Sequence, residues 1–367
     1  MIGLLAMGVA ACGGGGGGPN GGVNSAAGIS VLAGSLGTPG NTDGTGTAAR
    51  FEILQGIATD NLGNLYVANS GGGGTIRKIT SNGVTTTLLG SLTGLPSIGG
   101  GYKTVHGLGI DNAAGVLVYT NTDYYVVKNT FPLDSGVRTS YAMDGWSFET
   151  RWVNLPTEMT LDSAGNVYVA MGYYIRKLDP VGHISTLAGL FGVPGTFDYP
   201  RAGSADGVGT TAGFDGAYGV TADSDGNVYV ADSNNKTVRK ITPNGVVITM
   251  AGQAGQPGAD DGVGAAARFN HPRRLAVDRA SNVYVVDTAS TNNDSSLWQD
   301  TGNSTIRKIT PDGRVTTVAG QAAASGGTIP GPLPGTLGNL RGIVVGTDGA
   351  LYVNTFDAVL KIVLPTD

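Results

Sequence analysis

The chain has 367 residues, a formal net charge of −5, 40% hydrophobic residues and only 13% charged residues. No basic stretch alternates with aromatic residues, so we predict no nucleic-acid partner. No run reaches the roughly 18 apolar residues that cross a bilayer. A single cysteine leaves no partner for an intramolecular disulfide.

The chain opens with an apolar run, Ile2 to Ala11, that ends in small residues before its cysteine. A run of this length is typical of the core of a signal peptide. The letters "VAAC" resemble the bacterial lipobox, in which the signal is removed before a cysteine that is then lipidated. The resemblance implies a signal peptide over 1–11, then lipidated Cys12 and a glycine-rich tether over 12–27. Gly13, where an aspartate would direct retention at the inner membrane, implies an outer-membrane or cell-surface location in a bacterial envelope. Membrane contact is expected through the lipid alone.

Downstream, one cassette repeats. It begins "GIATDNLGNLYVANS" at Gly56 and continues "TIRKITSNGVTTTLLG" at Thr75, and it returns as "GVTADSDGNVYVADS…TVRKITPNGVVITMAG" and in four further copies. Each copy holds short β-rich runs separated by turns that contain Asp, Asn and Gly. Four antiparallel strands per copy are the blade of a β-propeller. The sequence therefore predicts an all-β, six-bladed β-propeller of four-stranded antiparallel blades.

The pattern D-x-x-G-N-x-Y-V-A-D followed by I-R-K-I closely resembles the NHL-repeat family. The resemblance covers nearly all of residues 29–365 and implies an NHL-repeat β-propeller over 28–367. It is strongest in the first, fourth and fifth copies and weakest in the second and sixth.

The segment "GISVLAG", Gly28 to Gly34, matches the endings "ISTLAG" and "VITMAG" of later copies, although no first three strands precede it. The sixth copy, ending "VLKIVLPTD", has three strands and lacks a fourth. We therefore predict that residues 29–33 join the last blade as its outer strand. This closes the ring and leaves no exposed sheet edge at the junction.

Candidate contact residues lie five positions before the first-strand aspartate of each copy, or before its Gly346 equivalent. They are Gln55, His106, Thr157, Tyr218, Arg273 and Arg341. The repeat predicts that they ring the mouth of a central channel. They are polar and mostly differ between copies, which favours ligand contact; a solvated rim with drifted identities is the alternative.

Aromatic residues concentrate in the loops predicted on the same face. They are Trp146, Trp152, Trp298, Tyr124, Tyr173 and Tyr174, with Tyr125 adjacent. Exposed aromatic rings supply large contact areas at interfaces and suit stacking on sugars. A glycan, a peptide or a protein is therefore the predicted partner, unless these rings pack the loops down.

Two repeated motifs are assigned to the fold. The loops "DGTGTAARF", "DGVGTTAGF" and "DGVGAAARF" precede three first strands without the Lys-Ser/Thr of a phosphate-binding loop. We interpret them as connectors, with a Ca²⁺ or phosphate site as the alternative. The recurrent third-strand arginines are expected to pair with carboxylates such as Asp232 or Asp287; they are Arg77, Arg176, Arg239 and Arg307.

The NHL resemblance extends to six-bladed metal-dependent lyases and lactonases, which makes a lyase or lactonase-like hydrolase the alternative function. His106 and His271 are its candidate ligands, whereas His183 is predicted on the opposite face. Two rim histidines do not supply a three-histidine zinc site. We therefore predict no catalytic residue and no cofactor, with Ca²⁺ or Zn²⁺ left as the alternative. The leading hypothesis is a monomeric, membrane-tethered, extracytoplasmic binding scaffold, and a spacer or assembly subunit without a small ligand is the third.

Overall fold

A computed structural model describes residues 26–71, 74–90, 105–112, 115–121, 125–130, 138–142, 156–190, 200–289, 303–322 and 327–365. These residues form six antiparallel sheets arranged as blades, with only single-turn 3₁₀ helices between them. None of the helices in these ranges is long and apolar enough to cross a membrane. The prediction of an all-β, six-bladed propeller is confirmed.

The first three blades follow the closing strand in chain order. The closing strand is β1 (Gly28–Gly34). The strands of the first three blades are β2 (Gly44–Thr45), β3 (Leu54–Thr59), β4 (Leu65–Asn69), β5 (Thr75–Ile79), β6 (Val84–Leu89), β7 (Val105–Asp111), β8 (Val116–Asn121), β9 (Tyr125–Thr130), β10 (Arg138–Ala142), β11 (Glu158–Leu161), β12 (Val167–Ala170), β13 (Tyr174–Leu178) and β14 (Ile184–Gly189). Blade 1 contains β2 to β6, blade 2 contains β7 to β10, and blade 3 contains β11 to β14.

The last three blades complete the ring. Their strands are β15 (Gly207–Val208), β16 (Ala217–Ala222), β17 (Val228–Asp232), β18 (Thr237–Ile241), β19 (Val246–Gly252), β20 (Gly262–Val263), β21 (Pro272–Val277), β22 (Val283–Thr288), β23 (Ser304–Ile309), β24 (Arg314–Ala319), β25 (Gly342–Val345), β26 (Leu351–Asn354) and β27 (Ala358–Val363). Blade 4 contains β15 to β19, blade 5 contains β20 to β24, and blade 6 contains β25 to β27 with β1.

The innermost strands surround the propeller axis. In order, β3, β7, β11, β16, β21 and β25 contact one another, and β25 contacts β3 to close the circle. The hydrophobic core lies between neighbouring blades: Ala58 and Tyr66 of blade 1, for example, belong to one buried cluster with Leu117 and Tyr119 of blade 2. Each blade therefore depends on its neighbours for burial, as in other repeat architectures.

Strand β1 closes the ring, as the sequence predicts. The order in the sixth sheet is β1-β27-β26-β25, with Ile29 opposite Ile362 and Ala33 opposite Val359. The other edge of β1 is also covered, because the Ile29 N–H donates to the Gly331 carbonyl at 2.7 Å and the Gly331 N–H donates to the Ile29 carbonyl at 2.9 Å. The two chain ends are thereby joined inside one blade.

The first-strand aspartates build the turns of the face opposite the predicted rim. The Asp60 carboxylate accepts the N–H of Leu62 at 3.0 Å and of Asn64 at 2.8 Å, and the hydroxyl of Tyr66 at 3.0 Å. Gly63 takes the left-handed conformation, φ 78°, that this turn requires. Equivalent bonds form at Asp162, Asp223 and Asp278 in blades 3, 4 and 5.

Blades 1, 4 and 5 differ from the four-stranded prediction because each carries a fifth, two-residue strand on its outer edge. This strand comes from the glycine-rich loop that precedes the blade. In blade 4, the fully buried Arg239 binds Asp206 of that loop at 2.7 Å and Asp232 of β17 at 2.9 Å, and its guanidinium lies 5.2 Å from the centre of the Phe214 ring. Blade 5 repeats the arrangement around Arg307, with Asp287 at 3.6 Å. Blade 1 repeats the contacts of Arg77 with the loop carboxylate and with Phe51, but has Asn69 in place of the second-strand aspartate. The loop and the arginine are therefore blade-building elements.

Candidate ligand-binding site

The predicted rim residues coincide with a local irregularity of the innermost strands. In blade 2, Val105 pairs with Asn121 but Leu108 pairs with Tyr119, so His106 and Gly107 together oppose one residue of β8. The register shifts at Gln55 in blade 1, at Tyr218 in blade 4 and at Arg273 in blade 5 in the same way. Such β-bulges redirect side chains and are frequent beside functional sites. We call the face on which these strands begin the top face.

The six rim residues differ in exposure. Gln55 and His106 are each 2% exposed and Arg341 is 7% exposed, whereas Thr157, Tyr218 and Arg273 are partly exposed. The Thr157 hydroxyl donates to the Tyr218 carbonyl at 2.6 Å, which ties blade 3 to blade 4 at this level. The rim is therefore a packed ring that is most open over blades 3 to 5.

The residue that follows each rim residue also differs between blades. Four blades have glycine there; the residues are Gly56, Gly107, Gly219 and Gly342. A Cβ at Gly219 would lie 2.3 Å from the Arg273 carbonyl oxygen, and one at Gly56 would lie 2.9 Å from the His106 carbonyl oxygen. Inner strands at these positions approach too closely for a side chain.

Blades 3 and 5 carry Glu158 and Arg274 in place of that glycine, and the two side chains meet across blade 4. The Arg274 Nη1 lies 3.2 Å from the Glu158 Oε2, and their side chains are 6% and 13% exposed. Arg274 also donates to the Thr157 carbonyl at 3.2 Å, and the Glu158 carboxylate accepts the Val220 N–H. Burial raises the pKa of Glu158 to about 7 although Arg274 opposes the rise. The repeat spacing did not predict this pair; the sequence signal for it is that Glu158 and Arg274 replace the glycine found in the other four copies.

His106 faces the same region in its neutral form. Burial lowers the pKa of His106 to about 4, and the charge of Arg274 lowers it further, against a hydrogen bond to Pro156. The Nδ1 lies 3.0 Å from the Pro156 carbonyl oxygen and therefore carries the proton of the neutral ring. The Nε2 is buried and has no hydrogen-bond partner within the described ranges. It is left as an unused acceptor.

Two guanidinium groups flank the Tyr218 ring. The Arg273 and Arg274 guanidinium carbons lie 5.2 and 4.9 Å from the ring centre. Consecutive residues of a regular strand point to opposite faces, but the bulge at Arg273 brings both side chains to one ring. Lys236 adds a further cation nearby: burial lowers its pKa, and Arg273 contributes to the lowering. The carboxylates of Asp287 and Asp215 lie near Lys236 and act against this lowering. We call His106, Glu158, Tyr218, Arg273 and Arg274 the mouth cluster.

Of the six aromatic residues predicted on the top face, the structure describes Tyr173 and Tyr174. Trp146, Trp152, Trp298 and Tyr124 lie outside the described residues, as does Cys12. Tyr174 is 2% exposed and belongs to the core between blades 2 and 3, and Tyr173 packs against that core. The prediction that Tyr174 offers a ring on the surface is wrong, because its side chain fills the space between two blades.

The remaining histidines lie on the faces expected for them. His271 precedes β21 on the top face, and its N–H donates to the Asp287 carboxylate at 2.8 Å. His183 lies in the β13–β14 turn on the opposite face, 85% exposed and paired with Asp179. Within the described parts of the chain, no group of three or more His, Cys, Asp or Glu side chains is arranged to hold a metal ion.

Sequence and structure comparisons give the class of the protein. The NHL repeat family model matches residues 214–241, which contain β16 to β18 of blade 4. The Arabidopsis thaliana protein SUPPRESSOR OF QUENCHING 1, chloroplastic, is 34% identical over 89 residues, which are 24% of this chain and 8% of that protein. This chain therefore corresponds to a small part of that relative.

Solved structures resemble nearly the whole chain. A Bacteroides thetaiotaomicron protein of unknown function has a TM-score of 0.64 at 21% identity, over 93% of this chain and 76% of its own. An auxiliary nutrient binding protein from the same organism has a TM-score of 0.63 at 16% identity, over 92% of this chain and 76% of its own. At these identities the similarity concerns the fold. The protein is a six-bladed β-propeller, and its fourth blade matches the NHL repeat family model.

Proposed function

We propose that this protein is a binding scaffold whose ligand contacts the top face at the mouth cluster. The observation that carries the proposal is the buried Nε2 of His106, an acceptor without a partner within the described ranges, beside a buried ion pair. Buried polar atoms are normally hydrogen-bonded, so this acceptor among the rim residues is available to a hydrogen-bond donor of a ligand. The naming of one structural neighbour as an auxiliary nutrient binding protein is consistent with this proposal.

The proposed partner is a glycan, a peptide or a protein that approaches along the propeller axis. A thermal-shift screen of the full chain against glycan and peptide panels tests the proposal. A ligand at a hundred times its Kd adds about 2.7 kcal/mol to the unfolding free energy. His106→Gln should weaken any hit, whereas the exposed His183→Gln should leave it unchanged. A hit that is equally tight in both variants would place the site elsewhere and contradict the proposal.

We also propose that Cys12 is lipidated and holds the propeller at the outer membrane or cell surface of a bacterium, as a monomer. The sequence "VAAC" before a glycine-rich segment supports this proposal. Cys12→Ser should move the protein from the membrane fraction to the soluble fraction and remove the mass of the lipid. An unchanged distribution between the two fractions would contradict it.

A second candidate function is acid–base catalysis by a lyase or hydrolase. His106 favours it, because its imidazole is neutral, with one nitrogen fixed by a carbonyl and the other free to accept a proton. The lowered pKa of about 4 makes it a weak base, which places this candidate second. A metal ion does not fit the same residues, because His106 and Glu158 supply two donors beside the cationic guanidinium of Arg274. We therefore derive no step through Zn²⁺ or Ca²⁺. Loss of turnover of a screened substrate in His106→Gln, with substrate binding retained, would distinguish catalysis from binding.

A further inference from the structure

The bulge in β21 concentrates positive charge at one point of the rim. Pro272 pairs with Asp287 and Arg274 pairs with Val286, so Arg273 is an extra residue in the strand. Its guanidinium and that of Arg274 consequently share the Tyr218 ring, at 5.2 and 4.9 Å from the ring centre. The repulsion between two cations beside one ring is reduced where an anion lies near them.

The anion beside Arg274 is the carboxylate of Glu158 at 3.2 Å. The fold itself does not require this pair, since four blades form the same inner-strand contacts with glycine at the corresponding position. A buried ion pair contributes little net stability, because removing both charges from water offsets their attraction. Buried charges of this kind, with a perturbed carboxyl group, are typical of functional sites.

His106 supplies the second, independent observation. Its ring is 2% exposed, its Nε2 has no partner within the described ranges, and Arg274 is close enough to influence its ionisation. A group that donates a hydrogen bond beside Arg274 would satisfy this nitrogen. The mouth cluster therefore combines a site for a carboxylate with a site for a hydroxyl donor.

We propose that the mouth cluster binds a hydroxy-carboxylate, of the class of acidic sugars, whose carboxylate replaces Glu158 on Arg274 and whose hydroxyl donates to His106. Guanidinium groups bind carboxylates with two parallel hydrogen bonds, so Arg274 can exchange one carboxylate for another without changing its own geometry. Arg273, partly exposed at the entrance, attracts the anion from solvent. Glu158 is then an internal competitor. The proposal rests on the binding function proposed above and names the ligand class.

Displacing the Glu158 carboxylate from Arg274 costs little free energy near neutral pH. Burial raises the pKa of Glu158 to about 7, so its carboxyl group is partly protonated there and gives up Arg274 readily. The charged or titratable groups in this region are His106 from β7, Tyr218 from β16, Lys236 before β18, Arg273 and Arg274 from β21, and Asp287 from β22.

The test measures binding of D-glucuronate and of D-glucose to the full chain by isothermal titration calorimetry. Glucuronate should bind and glucose should bind at least tenfold more weakly, since only the acid engages Arg274. Arg274→Gln should abolish the preference, and Arg273→Gln, at a partly exposed position, should weaken glucuronate binding several-fold in a folded protein. The exposed Arg314→Gln is the matched control and should bind as the unsubstituted chain does.

Glu158→Gln distinguishes replacement of the Glu158 carboxylate on Arg274 from simple electrostatic attraction of the ligand. Removing the competitor should tighten glucuronate binding about tenfold if Glu158 occupies Arg274 nine-tenths of the time. Weaker binding in folded Glu158→Gln, or equal affinity for glucuronate and glucose, would overturn the inference. If neither binds while another glycan or a peptide binds in a His106-dependent way, the inference fails and the binding function stands. If no ligand of any panel binds, both fail.

Discussion

Ring closure by β1 makes the first described strand a determinant of the stability of the whole propeller. Ile29 is 4% exposed and belongs to one buried cluster with Leu337, Leu360 and Ile362. Its backbone also joins β27 to residue Gly331. Ile29→Ala removes the side chain from the seam between the two ends of the chain.

The magnitude follows from burial. Truncating a fully buried isoleucine to alanine costs about 2–5 kcal/mol, because transfer energy is lost and a cavity remains. Ile329 is the matched control: it is the same residue type on the neighbouring segment, but 62% exposed. Ile329→Ala should change the unfolding free energy by no more than about 0.5 kcal/mol.

The assay is guanidinium unfolding, followed by far-UV circular dichroism and by tryptophan fluorescence. All three tryptophans lie far along the chain from Ile29, at positions 146, 152 and 298. If the closed ring unfolds as one unit, both signals should shift together in Ile29→Ala. Deleting residues 28–34 should shift both further.

Two results would refute this reasoning. One is an Ile29→Ala variant as stable as Ile329→Ala, which would mean that the packing of β1 against blade 6 does not contribute to the unfolding free energy. The other is an early transition visible by circular dichroism while the tryptophan signal stays native, which would show that blade 6 opens locally.

Three further predictions concern single side chains. Burial lowers the pKa of His106 to about 4, so the stability that neutral His106 contributes is present above its unfolded pKa of about 6.5 and is lost as the pH falls towards 4. Between pH 7 and 4.5, the unfolding free energy of His106→Gln should therefore fall by about 2.5 kcal/mol less than that of the unsubstituted chain. The exposed His183→Gln should behave as the unsubstituted chain does. Arg239→Met leaves Asp232 buried without its cation and should lower the unfolding free energy by about 3–5 kcal/mol in denaturant unfolding. Adding Asp232→Asn to this variant should recover much of the loss. A double variant with no recovery would contradict the stabilising role of the ion pair. Ser281 has φ 59° where four blades have glycine at φ 78–80°, so Ser281→Gly should raise the unfolding free energy by about 1 kcal/mol, and an equal gain in Ser281→Ala would show that backbone strain is not the cause.

Much of the fold could be predicted because each blade of a propeller repeats the same sequence pattern. Asp60, Asn64 and Tyr66 form the same local hydrogen bonds as their counterparts in three other blades, so the pattern is visible without knowledge of distant contacts. The closing strand could be predicted for the same reason: "GISVLAG" is a fourth strand in a chain whose last blade has three. Periodicity and turn chemistry are local properties, and the sequence determines them directly.

The site depended on contacts that no local pattern encodes. Spacing located His106, Tyr218 and Arg273 on one rim, but the ion pair of Glu158 and Arg274 joins residues more than a hundred positions apart across an intervening blade. Whether a rim side chain is buried, exposed or covered by a guanidinium was decided by the β-bulges and by the close approach of neighbouring inner strands. These side chains meet only when six blades close around one axis. The ring itself can therefore be predicted from the repeats, whereas the side-chain contacts at its mouth are set by the tertiary structure.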